Sequence, residues 1–348
     1  MNALQQAPEA GRSTVLGRPP GWSTAALLTE VEQGLLTGDF IAYYQPVADA
    51  RSGALTSLEA LVRWRHPEHG IIGPADFVPA LEHAGAIHGV GRAVLSQACV
   101  SAATWPLPPD GGRPVAVRVN VSARQLDDDT FAGQVASCLD SSGLDPARLV
   151  LEITESAPLR DPVVAHRTCR GLRDLGVRVS LDDFGTGHCD LVRLAQLPCD
   201  EIKVDKAFLV GLGRGSQRFN RVCEVVGLAA ALGLAVTVEG VETRAQLAAL
   251  RQLAGAADLS LQGYLFGPPL PLPTATLTEL DGRSRQMVRR DMARLRVGSL
   301  PEPTPPTGCR GGRPPDESTG PSPVTRPQPP APRPTTRPRV ARTVSAPS

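Results

Sequence analysis

Lysine is almost missing from this sequence: among its 36 basic residues only Lys203 and Lys206 are lysines, and the rest are arginine. A lysine inside a strand-like motif therefore marks a place where a compact, titratable ammonium stands instead of a planar, permanently charged guanidinium. Paired cysteines are also lacking. The seven (Cys99, Cys138, Cys169, Cys189, Cys199, Cys223 and Cys309) are odd in number and scattered, without metal-type spacing, so they read as reduced thiols, mostly core filler. His66, His69, His83 and His88 sit on early loops with no metal-ligand spacing and read as surface histidines. There is no excess charge of either sign: the formal net charge is +1, which gives no global field for DNA, RNA or an anionic membrane. No signal-peptide core opens the chain, and the longest apolar run, Val225 to Val238, is short for a membrane span and carries Gly227 and Gly233. Together these absences read as a cytoplasmic chain with no membrane and no direct nucleic-acid partner.

A hydrophobic content of 41% over 348 residues is enough to bury a full core. From about Ser299 the composition changes to Pro, Thr, Arg, Ser and Gly, and residues 301–348 carry seven arginines against Glu302, Asp316 and Glu317. Residues 299–348 are expected to form a disordered, mildly basic tail whose polyproline stretches could meet a protein partner. Residues 1–24 read as a flexible segment too short for a sensor domain, which leaves control to expression, dimerisation, the tail or a partner.

Between them, residues 25–298 alternate strand-like and helix-like segments. Strand candidates are Ile41 to Val47, Leu55 to Leu61, Val115 to Val121, Leu149 to Thr154, Val177 to Leu181, Glu201 to Val204, Ala235 to Val238 and Leu259 to Gln262. Amphipathic helical stretches separate most of them. Eight strands alternating with helices predict an α/β fold of the TIM-type (β/α)8 barrel, with an open doubly wound sheet as the competitor. No glycine-rich dinucleotide fingerprint follows an early strand, which weakens that competitor.

Polar residues interrupt these strands in a regular way: Glu59, Asn120, Glu152, Asp182 with Asp183, Lys203, Glu239 and Gln262 each lie in or at the C-terminal end of one strand candidate. In a barrel these positions converge on the C-terminal mouth, where active sites of the fold are built. A lone acid at a strand end is ordinarily a solvated cap, but seven at corresponding positions make one site. Five carboxylates against Arg63 and Lys203 leave three negative charges in apolar surroundings, which need compensation. Two divalent cations would supply it, and oxygen-only donors favour Mg²⁺ or Mn²⁺ over zinc. Adjacent Asp182 and Asp183 suit two metals about 3.5–4 Å apart, the arrangement of phosphoester hydrolysis. Lys203 suits a water or a developing oxyanion, whereas Lys206 reads as a surface residue.

The stretches YYQPVADARSGALTSLEALVRWRHPEHGIIGPADFVPALEHAG, VRVNVSARQL, LEITES, LDDFGTG, IKVDKAF, VEGVET and QGYLFGPPLP, spanning about Leu35 to Leu270, resemble the bacterial EAL-domain phosphodiesterases, named for the tripeptide Glu59, Ala60, Leu61. The resemblance implies a barrel with a reversed first strand and hydrolysis of cyclic di-GMP to linear pGpG under Mg²⁺ or Mn²⁺, with two ions per site and calcium inhibitory. It makes Glu59, Asn120, Glu152 and Asp182 ligands of one metal, and Asp182, Asp183 and Glu239 ligands of the other. Lys203 would orient the attacking water with Gln262 near it. Gln45, Leu61 and Arg63 would contact substrate, Asp205 and Glu242 would support the mouth, and Glu155 would anchor the loop after Asp183. A homodimer is implied as well. One departure stands out: after DDFGTG this chain reads His188, Cys189, Asp190, where the family has an aromatic or small residue and two small hydroxyl residues. The alternative is thus a weak or inactive module acting as a cyclic di-GMP receptor or a protein-interaction regulator.

Overall fold

Phe40–Asp49 (β1) and Leu55–His66 (β2), rich in apolar and β-branched residues, form two long strands that pair antiparallel, with Gln45 opposite Glu59. The computed structural model describes residues 22–107, 112–154, 159–185, 190–212, 216–255, 257–271 and 276–297. A short strand, Gly70–Ile72 (β3), adds antiparallel to the end of β2. Beyond it the chain alternates: Pro74–Ala84 (α2), Ile87–Ala103 (α3), Ala116–Val121 (β4), Ala123–Leu126 (α4), Phe131–Ser142 (α5), Leu149–Ile153 (β5), Pro162–Asp174 (α6), Arg178–Phe184 (β6), Asp190–Gln196 (α7), Glu201–Val204 (β7), Gln217–Leu232 (α8), Ala235–Val238 (β8), Arg244–Leu250 (α9) and Leu259–Gln262 (β9). Thr24–Thr37 (α1) precedes the first strand and Thr276–Val297 (α10) follows the last.

Strands β2, β4, β5, β6, β7, β8 and β9 pair in parallel, each with the next. The ring closes through β1, which is antiparallel to both β9 and β2. The result is the eight-stranded barrel that the strand alternation predicts, with the reversed first strand that the resemblance implies, and β3 is an appendage on β2. All eight strand candidates appear, with ends displaced by a few residues.

Helix ends follow local chemistry. Ser23 caps α1 by accepting from Ala26 N, and Gly38, at φ +74°, closes it in the left-handed region open to glycine. Helices pack their apolar faces on the strands, as with Phe77 and Leu81 of α2 and Val90, Val94 and Ala98 of α3. One expectation fails here: His66 is buried, not on the surface. Because β2 runs past Leu61 to His66 and pairs with β3, the imidazole turns under Trp22 and Trp64, and its Nδ1 accepts from the backbone N–H of Glu68 and His69 at 3.2 and 3.3 Å.

The five cysteines among the described residues are free, and burial pushes the Cys99 and Cys169 thiols up to about 12, so they are inert. No helix among the described residues is long and apolar enough to cross a membrane. The chain divides into two units, Met1–Leu300 and Pro301–Ser348. The second, with the expected polyproline tail, lies outside the described residues, as do residues 1–21.

Candidate active site

Side chains alternate along a strand, so a residue that faces the barrel interior is preceded two positions earlier by another that does, one layer lower. Five strand motifs show such pairs: Ser57 and Glu59 on β2, Arg118 and Asn120 on β4, Ser180 and Asp182 on β6, Glu201 and Lys203 on β7, and Thr237 on β8 followed by Glu239. The upper members meet at the C-terminal mouth. Asn120 Nδ2 donates to Glu59 Oε1 at 2.7 Å, and Gln262 Nε2 donates to Glu59 Oε2 at 2.5 Å and to Gln45 Oε1 at 3.1 Å.

Lys203, only 1% exposed, is the cation of the mouth. Its Nζ lies 2.8 Å from Glu152, 3.2 Å from Asp182 and 3.8 Å from Glu59, and it also pairs with Glu239. One ammonium cannot neutralise the four carboxylates around it, and burial holds three of them, Glu59, Asp182 and Glu239, above the ordinary carboxyl range. Burial, reinforced by the Glu152 charge, pushes the Glu59 carboxyl up to about 7; burial, then the Asp182 and Glu59 charges against the opposing pull of Lys203, puts Glu239 at about 8. Asp182 is raised as well, again chiefly by burial. Glu152 behaves differently: burial opposes its ionisation, but Lys203 and Arg118 outweigh it and bring the carboxyl down to about 2. Lys203 itself is held well above its ordinary value because the surrounding acids outweigh its desolvation.

Consecutive residues of a regular strand face opposite ways, yet Asp182 and Asp183 both serve the mouth. The β6–β7 register shifts between Leu181 and Phe184, and Asp183 takes φ +56°, an unusual left-handed conformation for a residue with a Cβ. As a result one carboxylate oxygen from each of Asp182, Asp183 and Glu239 lies within 4.8 Å of the other two. This acidic cluster could hold a divalent cation. The donor chemistry fits a hard ion: all the donors are oxygens, the Asp182 and Glu239 carboxyls are raised chiefly by burial, and the buried Gln262 Oε1 has no hydrogen-bond partner. A cavity of about 470 Å³ opens over them, lined by Gln45, Glu59, Leu61, Asn120, Asp182, Glu239, Glu242 and Gln262 and walled on one side by the apolar Val62, Val78, Ile87, Val90 and Val94.

Residues 28–269 match the family model described as the EAL domain. The chain belongs to the EAL domain family. It is 41% identical over 251 residues to an uncharacterized signaling protein of Caulobacter vibrioides, covering 72% of this chain and 30% of that one. It is 38% identical over 246 residues to the bifunctional diguanylate cyclase/cyclic di-GMP phosphodiesterase MucR of Pseudomonas aeruginosa, covering 70% of this chain and 35% of MucR. The chain thus spans about a third of the length of these curated relatives. Among solved structures it resembles the PaMucR phosphodiesterase in complex with c-di-GMP, at a TM-score of 0.62 and 38% identity, over 70% of this chain and 97% of that one.

Around this EAL barrel the remaining candidates fall into two groups. Gln45 joins the mouth network, its Nε2 donating to the Gly267 carbonyl at 3.1 Å. Leu61 and Glu242 line the cavity. Arg63 lies farther out on β2, its guanidinium 5.5 Å from the Tyr43 ring and its Nη1 on the Val62 carbonyl. Asp205 does not reach the mouth network: its carboxylate caps the following turn by accepting from Ala207 N at 2.7 Å. Glu155, His188 and Cys189 lie outside the described residues. Lys206 is exposed, as expected, although it borders the cavity. Missing from the candidates are Arg118 and Glu201, both buried one layer beneath the mouth. The two-residue period back from Asn120 and Lys203 is the signal that marks them.

Proposed function

We propose that this chain hydrolyses cyclic di-GMP to linear pGpG with two divalent cations, Mg²⁺ or Mn²⁺, in the barrel mouth. The observation that carries this reading is a cavity of an EAL-family barrel lined by Glu59, Asn120, Asp182, Glu239 and Gln262, with Lys203 paired to Glu59, Glu152, Asp182 and Glu239, and Asp183 beside Asp182 and Glu239. The identity to MucR, named a cyclic di-GMP phosphodiesterase, and to the PaMucR structure with c-di-GMP supports the substrate. When bound, two such ions would offset the charge of the phosphodiester and polarise its ester bond.

The chain's own residues have separable tasks in this reading. Glu59, Asn120, Glu152 and Asp182 would hold one ion, and Asp182, Asp183 and Glu239 the other. Lys203, which the acids around it hold as an ammonium in the metal-free chain, would donate to the attacking water or developing oxyanion. Gln262, with its free Oε1, would accept from that water. Gln45, Leu61 and Arg63 would contact the nucleotide, Glu242 would support the rim, and Glu155 would anchor the loop after Asp183. Residues 25–298 form the catalytic unit in this reading, acting as a cytoplasmic homodimer, with residues 299–348 free to engage a protein partner.

The test is incubation of the purified chain with cyclic di-GMP and Mg²⁺ or Mn²⁺, followed by chromatography, beside a Glu59→Ala control. Metal-dependent pGpG that disappears in the control supports hydrolysis. Tight nucleotide binding without product over long incubation would instead select a receptor or regulatory module, the outcome to which the His188–Cys189–Asp190 sequence points.

A further inference from the structure

Beneath the mouth lies a second ionic layer, sealed from solvent. Arg118, Glu152 and Glu201 are 2%, 0% and 4% exposed. The Arg118 Nε donates to Glu152 Oε1, while its Nη2 donates to Glu201 Oε1. Nη1 reaches Glu201 Oε2 at 3.3 Å and Ser57 Oγ at 3.5 Å, and Thr237 Oγ1 donates to Glu201 Oε1 at 2.7 Å. Arg118 is thus a strut with one edge on a mouth carboxylate and the other tied to the barrel wall through Glu201 and Thr237. Glu152, in turn, has its two oxygens committed to different cations: Oε1 to Arg118 from beneath and Oε2 to Lys203 at 2.8 Å.

We propose that Arg118 is a positioning residue for the site: braced by Glu201, it fixes Glu152 Oε1 from below so that Oε2 is presented to the mouth for a divalent cation. This rests on the reading of Glu152 as a metal ligand. Stability alone is a poor reason for such a strut, because buried ion pairs are often replaceable by apolar residues without loss of stability. Orientation is a better one. A guanidinium offers donors along two edges of a rigid plane and can bind two carboxylates at once, whereas the point charge of a lysine cannot span both. Groups that orient a ligand from behind typically change metal affinity by about 10–100-fold when altered.

Mn²⁺ binding to the full chain, measured by calorimetry or by the resonance signal of free Mn²⁺, tests this together with kcat and KM for cyclic di-GMP. Arg118→Lys keeps the charge and loses the fork; it is expected to weaken Mn²⁺ binding about tenfold or more and to lower kcat, with KM nearly unchanged. Glu201→Gln removes only the brace and should move both quantities the same way by a smaller factor. The double change Arg118→Met with Glu201→Met, which removes the strut without stranding a charge on Glu201, should weaken Mn²⁺ binding at least as much as Arg118→Lys. Folded variants whose melting temperature drops while Mn²⁺ affinity and kcat stay at wild-type values would show a structural ion pair only and overturn the proposal. A wild-type chain that takes up no Mn²⁺ would overturn the metal reading of Glu152 first, and this inference with it.

Discussion

Lys203 and Glu152 form a 2.8 Å ion pair with side-chain exposures of only 1% and 0%. The pair sits where a phosphodiester site needs both a cation and an oxygen donor, so its two members differ in what their loss does. Replacing Lys203 by Ala should lower turnover at least about a hundredfold, the usual effect of removing one charged donor from a developing oxyanion. It should also destabilise the metal-free chain by about 3–5 kcal/mol, since Glu59, Asp182 and Glu239 lose the cation they share and Glu152 keeps only Arg118. Added Mn²⁺ should return part of that stability. Thermal melts with and without metal, beside product assays, check both halves.

The pH dependence of the metal-free chain follows from Glu59 and Glu239. Their folded values, about 7 and about 8, lie above the ordinary 4.5, so the native state binds more protons than the unfolded chain between roughly pH 4.5 and 8. Stability therefore falls as pH rises through that window and levels off above it. Glu152, held at about 2, contributes oppositely, losing its stabilisation only as pH falls below the ordinary carboxyl value toward 2. Metal must displace the protons on Glu59 and Glu239, so apparent Mn²⁺ affinity should rise from pH 6 to 8 while the metal-free melting temperature declines. Flat curves for both quantities would contradict the buried-charge account.

Gly185, two residues after Asp183, has φ +98°, and a Cβ there would fall 2.4 Å from Phe208 Cζ. Gly185→Ala should cost about 1–3 kcal/mol through backbone strain and overpacking, and should depress turnover by displacing the end of β6. Adding Phe208→Ala removes the collision but not the strained φ, so stability should recover in part only. Denaturant melts of the single and double variants measure the difference.

A chain ending at Gly298 should retain the turnover of the full chain, because every side chain of the mouth network comes from β1 to β9 and the segments next to them. Loss of product on this truncation would give the proline-rich segment a part in the chemistry.

Much of the molecule was legible in the one-dimensional pattern. Short β-branched runs at intervals of a strand plus a helix sufficed for an eight-stranded barrel, and the polar residues interrupting them marked the mouth. What escaped had a physical reason in each case. His66 looked like a loop residue because nothing local announces that β2 continues past Leu61 to pair with β3. Arg118 and Glu201 share the inward face of Asn120 and Lys203 by the period of two, but nothing local announces that they pair with each other across the barrel.

The sequence by itself determined the strands, their alternation of inward and outward positions, and the types of side chain available at the mouth, because these follow from local propensity and a period of two. Tertiary structure decided which charges meet. Closure of the ring brings Gln262 onto Glu59 and Gln45, 203 and 217 residues away, and sets Arg118 between Glu152 and Glu201. The irregular pairing of β6 turns both Asp182 and Asp183 to one site. Electrostatic compensation in a buried space depends on distance through the fold and not along the chain, and so only the folded barrel could settle it.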